Sequence, residues 1–330
     1  MIPIDVFTSA AELSLWFIAK TLPFMVIGVI FAELIVALGV VDKIAFIARP
    51  ITNFAHLRDE CGASFLTAFA SATSANAMLA AFYKDKIIEK RELFIASMMT
   101  SFPAIVMHWR PMLPVLIPLL GVVGIIYFGI LTLVGLIKTL LIMIAGRFLL
   151  EKKDRSQGQN CEYGSADEGE GKIKPEKRPS LKEAVKISLQ TSTPIIKRIV
   201  AITIPTTFIV FILMELSVFD ILASYLSGVS TYFPIPAEGL TIIAAQFGNF
   251  IAANTIASNL LTTGVLTGKE VVITLLVADV LATIMVTVRW LIPYYLGIFG
   301  PRIGTEIMVL ATTIRTGIMI VVIFALALFW

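Results

Sequence analysis

Residues 112–137 read MLPVLIPLLGVVGIIYFGILTLVGLI, without one charged side chain. A helix needs about 20 predominantly apolar residues to cross the hydrocarbon core of a bilayer. This stretch exceeds that length, and two others, Leu22–Val41 and Ile199–Phe219, each contain a single acidic residue. These stretches predict an all-α polytopic membrane protein.

The composition of the whole chain agrees with that class. Of its 330 residues 58% are apolar and only 15% are charged, with a mean hydropathy of +0.91, which is far outside the range of soluble domains. No Walker A motif, nucleophile elbow or His-Glu-x-x-His motif is present. We therefore expect no enzymatic activity, cofactor, metal or nucleic-acid partner, and we expect the chain to cross the cell membrane several times within the lipid bilayer.

One polar insert divides the chain. Residues 151–180 are rich in Lys, Glu, Asp, Gly and Ser, which predicts a disordered linker. Its Lys and Arg residues lie directly after an apolar span, so the positive-inside rule places the linker in the cytoplasm. The predicted domains are a first membrane repeat with an N-terminal interfacial helix (1–150), the linker, and a second membrane repeat with a leading amphipathic helix (181–330).

The two halves share an order of polar, proline and glycine residues. Single identities are common in apolar sequence, but a series over about 100 residues indicates a duplicated unit. The matched sets are Pro23, Glu33 and Leu34 with Pro205, Glu215 and Leu216 at a separation of 182; Glu60, Ala75, Asn76 and Glu92 with Glu238, Ala253, Asn254 and Glu270 at 178; and Arg110, Pro114 and Gly121 with Arg289, Pro293 and Gly300 at 179.

Each half contains a segment of small residues whose path decides the topology. If this segment crosses the membrane, each half has four crossings and the repeats are parallel; if it dips in and returns, each half has three and the repeats are inverted. Residues 84–91 contain four basic side chains, whereas residues 262–270 contain only Lys269. This difference favours opposite faces, and so predicts two inverted repeats, each of about three transmembrane helices and a re-entrant hairpin.

The predicted elements of each half follow from this topology. The first spans are Leu22–Val41 and Ile199–Phe219, and the small-residue hairpins are Gly62–Tyr83 and Gly239–Leu261, with 246–250 as the tip of the second. The second spans run from Leu93 to about Leu120 and from Val271 to about Phe299, and the third spans are about Val123–Leu150 and Glu306–Trp330.

The acidic first spans and the segments 71–76 and 248–254 resemble the nucleoside recognition domain family, also called Gate domains. Its members include parts of concentrative nucleoside transporters, spore maturation membrane proteins and the ferrous iron permease. The resemblance covers both halves and rests on their layout. It implies a membrane protein of permease-like build, and it implies no particular substrate.

Polar side chains of the hairpins are the candidate solute-binding groups, since amides and hydroxyls at membrane depth either line a site or join helices. They are Asn76, Asn254, Ser71, Thr73, Ser74, Gln246, Asn249 and Asn259.

Charged residues inside the spans are candidates for coupling, because ionised groups in the bilayer are costly. The acids are Glu33, Glu215 and Asp279. Lys138 and Arg315 interrupt the third spans, where they either pair with these acids or extend towards the cytoplasmic headgroups. Glu33 and Glu215 have a second interpretation as structural acids at helix ends.

Two functions are consistent with this sequence. The first is a secondary permease that holds a small, unidentified solute between two re-entrant hairpins and couples its movement to protons or a cation. The alternative is a membrane scaffold or accessory subunit that binds a partner protein and transports nothing. A homo-oligomer is expected in either case, because halves this small need shielding from lipid.

Overall fold

The computed structural model of the chain describes residues 4–37, 54–69, 71–150, 181–218, 221, 225, 228–248 and 250–330. Within these ranges every regular element is a helix and no strand is present. The prediction of an all-α fold is therefore confirmed for this part of the chain. The predicted linker, 151–180, and residues 38–41 of the first predicted span lie outside the described residues.

The helices are numbered along the chain. Those of the first half are α1 (Ile4–Ala37), α2 (Asp59–Thr67), α3 (Ala72–Lys84), α4 (Lys90–Met99), α5 (Ser101–Met107), α6 (Trp109–Leu120) and α7 (Val122–Leu149). Those of the second half are α8 (Leu181–Glu215), α9 (Val229–Tyr232), α10 (Leu240–Gly248), α11 (Phe250–Thr262), α12 (Gly268–Val286), α13 (Ile292–Phe299) and α14 (Pro301–Phe329). A 3₁₀ turn, Ala237–Gly239, precedes α10, and a π-helical turn, Thr287–Leu291, joins α12 to α13.

Two helices of the described chain, α7 and α14, are long and apolar enough to cross a membrane. They coincide to within a few residues with the predicted third spans. A third crossing is present if Lys90–Met107 and Trp109–Leu120, which are bent by 47° at their junction, form one span. Prolines 114 and 118 lie inside α6. Both lie after the bend, whereas Pro111 follows Met107 by four residues and cannot donate a hydrogen bond to its carbonyl oxygen.

Helix ends recur at nearly constant separations in the two halves. Helices α3 and α11 both start and end 178 residues apart, and α4 and α12 start 178 residues apart. Helices α7 and α14 start 179 residues apart. These are the separations at which the sequence repeats.

The matched helices α4 and α12 begin with the same capping device. At the start of α4 the Glu92 carboxylate accepts a hydrogen bond of 2.8 Å from the backbone N–H of Glu89. At the start of α12 the Glu270 carboxylate accepts one of 2.8 Å from the backbone N–H of Thr267. Both are capping boxes, which satisfy N–H groups that the first turn of a helix leaves free.

A glycine with positive φ separates the last two helices of each half. Gly121 has φ of 58° between α6 and α7, and Gly300 has φ of 77° between α13 and α14. L-residues with side chains rarely adopt such angles, so glycine fits both turns. The turns bring each pair of helices so close that a Cβ at Gly124 or Gly304 would overlap a carbonyl oxygen of the facing helix.

The small-residue segment of each half packs on a helix of the other half. Helix α3 contacts α13, and α11 contacts α6. Two apolar cores result: one joins α6 and α7 to α10, α11 and α12, and the other joins α2, α3, α4 and α5 to α14. The long helices α1 and α8 lie against each other, with the rings of Phe7 and Phe208 5.3 Å apart.

Polar contacts gather several helix termini at one place, named here the first end of the bundle. Arg58 Nε lies 3.2 Å from Glu92 Oε1, and Lys90 Nζ lies 2.6 Å from Glu306 Oε2. His56 Nδ1 lies 3.3 Å from the carbonyl oxygen of Leu150. The first end therefore contains the starts of α2, α4 and α14 and the end of α7.

A different set of termini forms the second end. Ser258 Oγ of α11 donates a hydrogen bond to the carbonyl oxygen of Leu119, near the end of α6. Gly268, the first residue of α12, lies against Val123 at the start of α7. The second end thus contains the end of α6 and the starts of α7 and α12.

We expect Gly124→Ala and Gly304→Ala each to lower the free energy of unfolding by about 1–3 kcal/mol, because the added methyl meets backbone atoms that cannot move alone. The matched controls are Gly129→Ala and Gly317→Ala on the same helices, where a Cβ meets no atom within 4 Å. Thermal unfolding of the detergent-solubilised variants measures the difference. Equal effects at all four positions would contradict the close helix contact.

Candidate functional site

The carboxylate of Asp279 lies at the meeting point of four helices, α7, α10, α12 and α14. Gln246 Nε2 donates a hydrogen bond of 3.2 Å to Asp279 Oδ1. The Tyr127 hydroxyl also hydrogen-bonds the carboxylate, and Arg315 completes the set through a guanidinium nitrogen 3.6 Å from Asp279 Oδ2. Since α7 belongs to the first half and the others to the second, one acid joins both halves.

Lys138, on the same helix α7 as Tyr127, is enclosed by protein. Its side chain has a relative exposure of 5%. Its ammonium has no acceptor among the residues that the structure describes. A crevice opens beside the ion pair, and its lining consists of Asp279, Val280, Thr283, Arg315, Thr316 and Met319.

Asn76 belongs to a second polar cluster, at the start of α3. Its Nδ2 donates a hydrogen bond of 2.9 Å to the hydroxyl of Tyr294 on α13, which in turn donates one of 3.0 Å to the carbonyl oxygen of Ala72. Thr73 also hydrogen-bonds Tyr294. This chain of bonds joins the hairpin of the first half to the bent helix of the second.

Three hairpin amides have buried oxygens without a hydrogen-bond partner in the described structure. They are Oδ1 of Asn76, Oδ1 of Asn254 and Oε1 of Gln246. The Asn254 amide nitrogen bonds only within its own helix, to the carbonyl oxygen of Phe250 at 2.7 Å. Buried polar atoms are normally satisfied, so these oxygens are candidates for contact with a solute or water.

The remaining hairpin residues differ in their surroundings. Ser71 caps α3, since its Oγ accepts hydrogen bonds from the backbone N–H and the hydroxyl of Ser74. Thr73 and Ser74 are exposed, and Asn259 is half-buried. Asn249 lies outside the described residues.

The two acids of the predicted first spans are not brought to Asp279 by any described contact. Glu215, the last residue of α8, is exposed and accepts a hydrogen bond of 3.0 Å from Ser9 Oγ. Glu33 lies on α1, and its side chain is outside the described part of the chain. Of the predicted intramembrane charges, the structure therefore brings together Asp279 and Arg315, and it buries Lys138 elsewhere on α7.

Sequence reasoning overlooked two tyrosines of these clusters. Tyr127 is 1% exposed and bonds Asp279, and Tyr294 links Asn76 to Ala72. A usable signal was present for Tyr127, whose hydroxyl is one of very few polar groups in the uncharged stretch 112–137. A buried tyrosine hydroxyl usually finds a partner.

The fold and the polar clusters define an all-helical protein with two or three helices able to cross a membrane and buried polar groups between its halves. Within the described residues, no group of three or more His, Cys, Asp or Glu side chains is placed to hold a metal ion.

The whole chain is similar to three proteins of Methanocaldococcus jannaschii. The uncharacterized protein MJ1556 is 34% identical over 311 residues, which cover 94% of this chain and 95% of the relative. The uncharacterized proteins MJ0880 and MJ0871 are 25% and 24% identical, each over 95% of this chain. This chain therefore belongs to the same family as MJ1556. No family model and no solved structure matches it.

We expect Tyr294→Phe to lower the free energy of unfolding by about 1–3 kcal/mol, because it leaves the buried amide of Asn76 without its acceptor. The matched control is Tyr295→Phe, whose hydroxyl has no hydrogen bond within the described structure, and which should stay within about 0.5 kcal/mol of wild type. Thermal unfolding in detergent gives both values. A larger loss for the control than for Tyr294→Phe would contradict the assigned hydrogen bonds.

Proposed function

We propose that this chain is a secondary permease of the cell membrane, built from two inverted repeats that hold a small solute between two re-entrant hairpins. The observation that carries this proposal is the buried polar cluster around Asp279, together with the unpartnered oxygens of Gln246, Asn76 and Asn254. A protein that only packs helices has little use for buried acceptors that no internal donor satisfies.

The contacts at the two ends of the bundle support opposite orientations. The run from α4 to α6 starts at the first end, beside Glu306, and finishes at the second end, beside Ser258. The run from α12 to α13 starts at the second end, beside Val123, and leads into α14, which starts at the first end. Equivalent runs of the two halves thus point in opposite directions, as inverted repeats require.

The same contacts support hairpins that return to the side from which they enter. Arg58, just before α2, pairs with Glu92 and donates a hydrogen bond to the carbonyl oxygen of Ile87, just after α3. Both termini of the first hairpin therefore meet at the first end. Helix α11 of the second hairpin contacts Leu119 at the second end and leads directly to Gly268 there.

The cluster lies at the depth that a solute site needs. Asp279 follows the first residue of α12, Gly268, by 11 positions, which corresponds to about 16 Å at 1.5 Å per residue. That is roughly half of a hydrocarbon core about 30 Å thick. Sites of transporters with inverted repeats lie near the midplane, between the repeats. The many basic residues of the first end favour a cytoplasmic location for that end under the positive-inside rule.

Cysteine labelling in intact cells tests this topology. We expect a membrane-impermeant maleimide to label Val265→Cys from outside, and to label Lys84→Cys and the native Cys161 of the linker only after the membrane is opened. Lys84 and Val265 are exposed and belong to opposite ends. Each variant keeps one thiol, and Cys61, which is buried, is replaced by Ala. Labelling of positions 84 and 265 from the same side would contradict inverted repeats.

The access of water-soluble reagents to the hairpin amides distinguishes a permease from a scaffold. A permease exposes its site alternately to each side, so Asn76→Cys and Asn254→Cys should react with small water-soluble thiol reagents applied from either face. The matched control is Ala253→Cys, which is equally buried but adjacent to Asn254 on the apolar side of α11. Protection of positions 76 and 254 equal to that of position 253 would favour a scaffold.

A further inference from the structure

One acceptor beside Asp279 has no donor. Gln246 uses its amide nitrogen, Nε2, to donate a hydrogen bond of 3.2 Å to Asp279 Oδ1. Its amide oxygen, Oε1, belongs to the same planar group, is buried, and has no hydrogen-bond partner in the described structure. Buried acceptors normally have a donor, so the position of this oxygen calls for an explanation beyond packing.

The second carboxylate oxygen of Asp279 has a weakly held partner. Its Oδ2 lies 3.6 Å from a guanidinium nitrogen of Arg315, which is longer than the usual range of a hydrogen bond. The side chain of Asp279 is 18% exposed, whereas that of Arg315 is 39% exposed. Of the two partners, Arg315 is therefore the one that is free to move away.

Within the described residues, Arg315 is the one cation in contact with the acid. Helices α7, α10, α11 and α14 pack against α12. Tyr127 of α7 and Gln246 of α10 reach Asp279 as neutral donors, and α10 and α11 contain no ionisable side chain. The charge of Asp279 is thus balanced at this place by a single side chain.

The other ionisable groups on α12 and on the elements packed against it have no described contact with Asp279. The side chain of Arg289, in the π-helical turn, lies outside the described residues. The remaining groups are Lys138 and Arg147 of α7, Glu238 of the 3₁₀ turn, Lys269 and Glu270 of α12, and Arg302 and Glu306 of α14.

A proton on Oδ2 supplies the donor that Gln246 Oε1 lacks. A neutral carboxyl group and a primary amide can form a cyclic pair, in which the amide N–H donates to one carboxyl oxygen and the carboxyl O–H donates to the amide oxygen. The first of these bonds, from Gln246 Nε2 to Asp279 Oδ1, is already present. Protonation of Oδ2 provides the second bond and removes the negative charge that attracts Arg315.

The acid, the amide and the cation are additions to the duplicated framework. The first half folds the equivalent helices without them, so helix packing alone does not require the group. An intramembrane acid of this kind is a candidate for function. At the separations that relate the halves, the equivalent positions are Ser101 for Asp279, Ala68 for Gln246 and Leu136 for Arg315.

We propose that Asp279 is the proton-binding group of this permease and that it exchanges Arg315 for Gln246 when it binds a proton. The inference rests on the proposed permease function and names its coupling ion. A proton from water forms an O–H bond at Oδ2, the contact with Arg315 is lost, and the new hydroxyl donates a hydrogen bond to Gln246 Oε1. Proton uptake thus replaces a contact between α12 and α14 by one between α12 and α10.

Infrared difference spectra of the purified protein test this proposal between about pH 8 and about pH 5, a range in which folded proteins are stable. As the pH falls, we expect the C=O band of a protonated carboxyl group that Asp279→Asn removes. This variant should keep the fold, because its amide can form the same cyclic pair with Gln246. The matched control is Glu238→Gln, which removes an exposed acid of the same half and should leave that band unchanged.

A second variant, Gln246→Met, distinguishes the exchange of partners from a merely structural role. It removes both hydrogen bonds of the cyclic pair, so the C=O band of Asp279 should move to higher frequency, as such bands do when hydrogen bonds are lost. The absence of any band that depends on Asp279, or an unchanged frequency in Gln246→Met, would overturn the proposed proton site.

The permease itself is tested separately, by the reactivity of Asn76→Cys and Asn254→Cys described above. Protection of these two positions together with a band that depends on Asp279 would overturn the permease and keep the proton site. Reactive positions without that band would keep the permease and overturn Asp279 as its proton-binding group.

Discussion

The hydrogen bonds of one carboxylate, that of Asp279, hold the two halves of this protein in register. In apolar surroundings a polar group that lacks a partner is expensive, so each donor around Asp279 is constrained by the others. Those donors come from α7, α10 and α14. A shift of α10 or of either long apolar helix, α7 or α14, would separate at least one donor from the acid. The rest of the site, including the crevice beside Arg315, depends on this arrangement.

Around that centre the fold repeats a small set of local devices. Capping boxes at Glu92 and Glu270 begin the equivalent helices α4 and α12, and glycines 121 and 300, both with positive φ, follow the equivalent helices α6 and α13. Each device satisfies backbone groups or permits a close turn through local chemistry alone. The halves can therefore share a framework while their buried polar residues differ, and the differences, Lys138 and Asp279 above all, are concentrated where the halves meet.

Much of the fold could be predicted from the sequence, because the signals are local. The third spans were placed within a few residues of α7 and α14, since uncharged stretches of that length have one stable form in lipid. The break between α10 and α11 falls at the predicted hairpin tip, where Gly248 interrupts the apolar pattern. The bend between α5 and α6 was not predicted, because the hydropathy of the second span is continuous across it.

The site was harder to predict than the fold. Two interpretations of Arg315 followed from the sequence, pairing with an intramembrane acid or extension to the headgroups, and the structure pairs it with Asp279. Nothing in the sequence indicated the partner of Asn76, which lies 218 residues away on α13. No periodicity encodes such a contact. The enclosed position of Lys138 could not be predicted either, because the long side chain of a lysine inside a span can extend to the headgroups, and its burial follows from the packing of α7 against its neighbours.

The central claim, that equivalent helices of the two halves run in opposite directions, is tested most directly by cysteine cross-linking across the halves. In a chain without native cysteines and with a protease site in the linker, Lys90→Cys is combined with Glu306→Cys, residues whose charged atoms lie 2.6 Å apart in the wild type. A bifunctional maleimide about as long as the original Lys–Glu pair should join the two fragments in native membranes, and they should stay joined after cleavage; a direct disulfide would be too short for this pair. Joining of Lys90→Cys to Val265→Cys, with none to Glu306→Cys, would contradict the account.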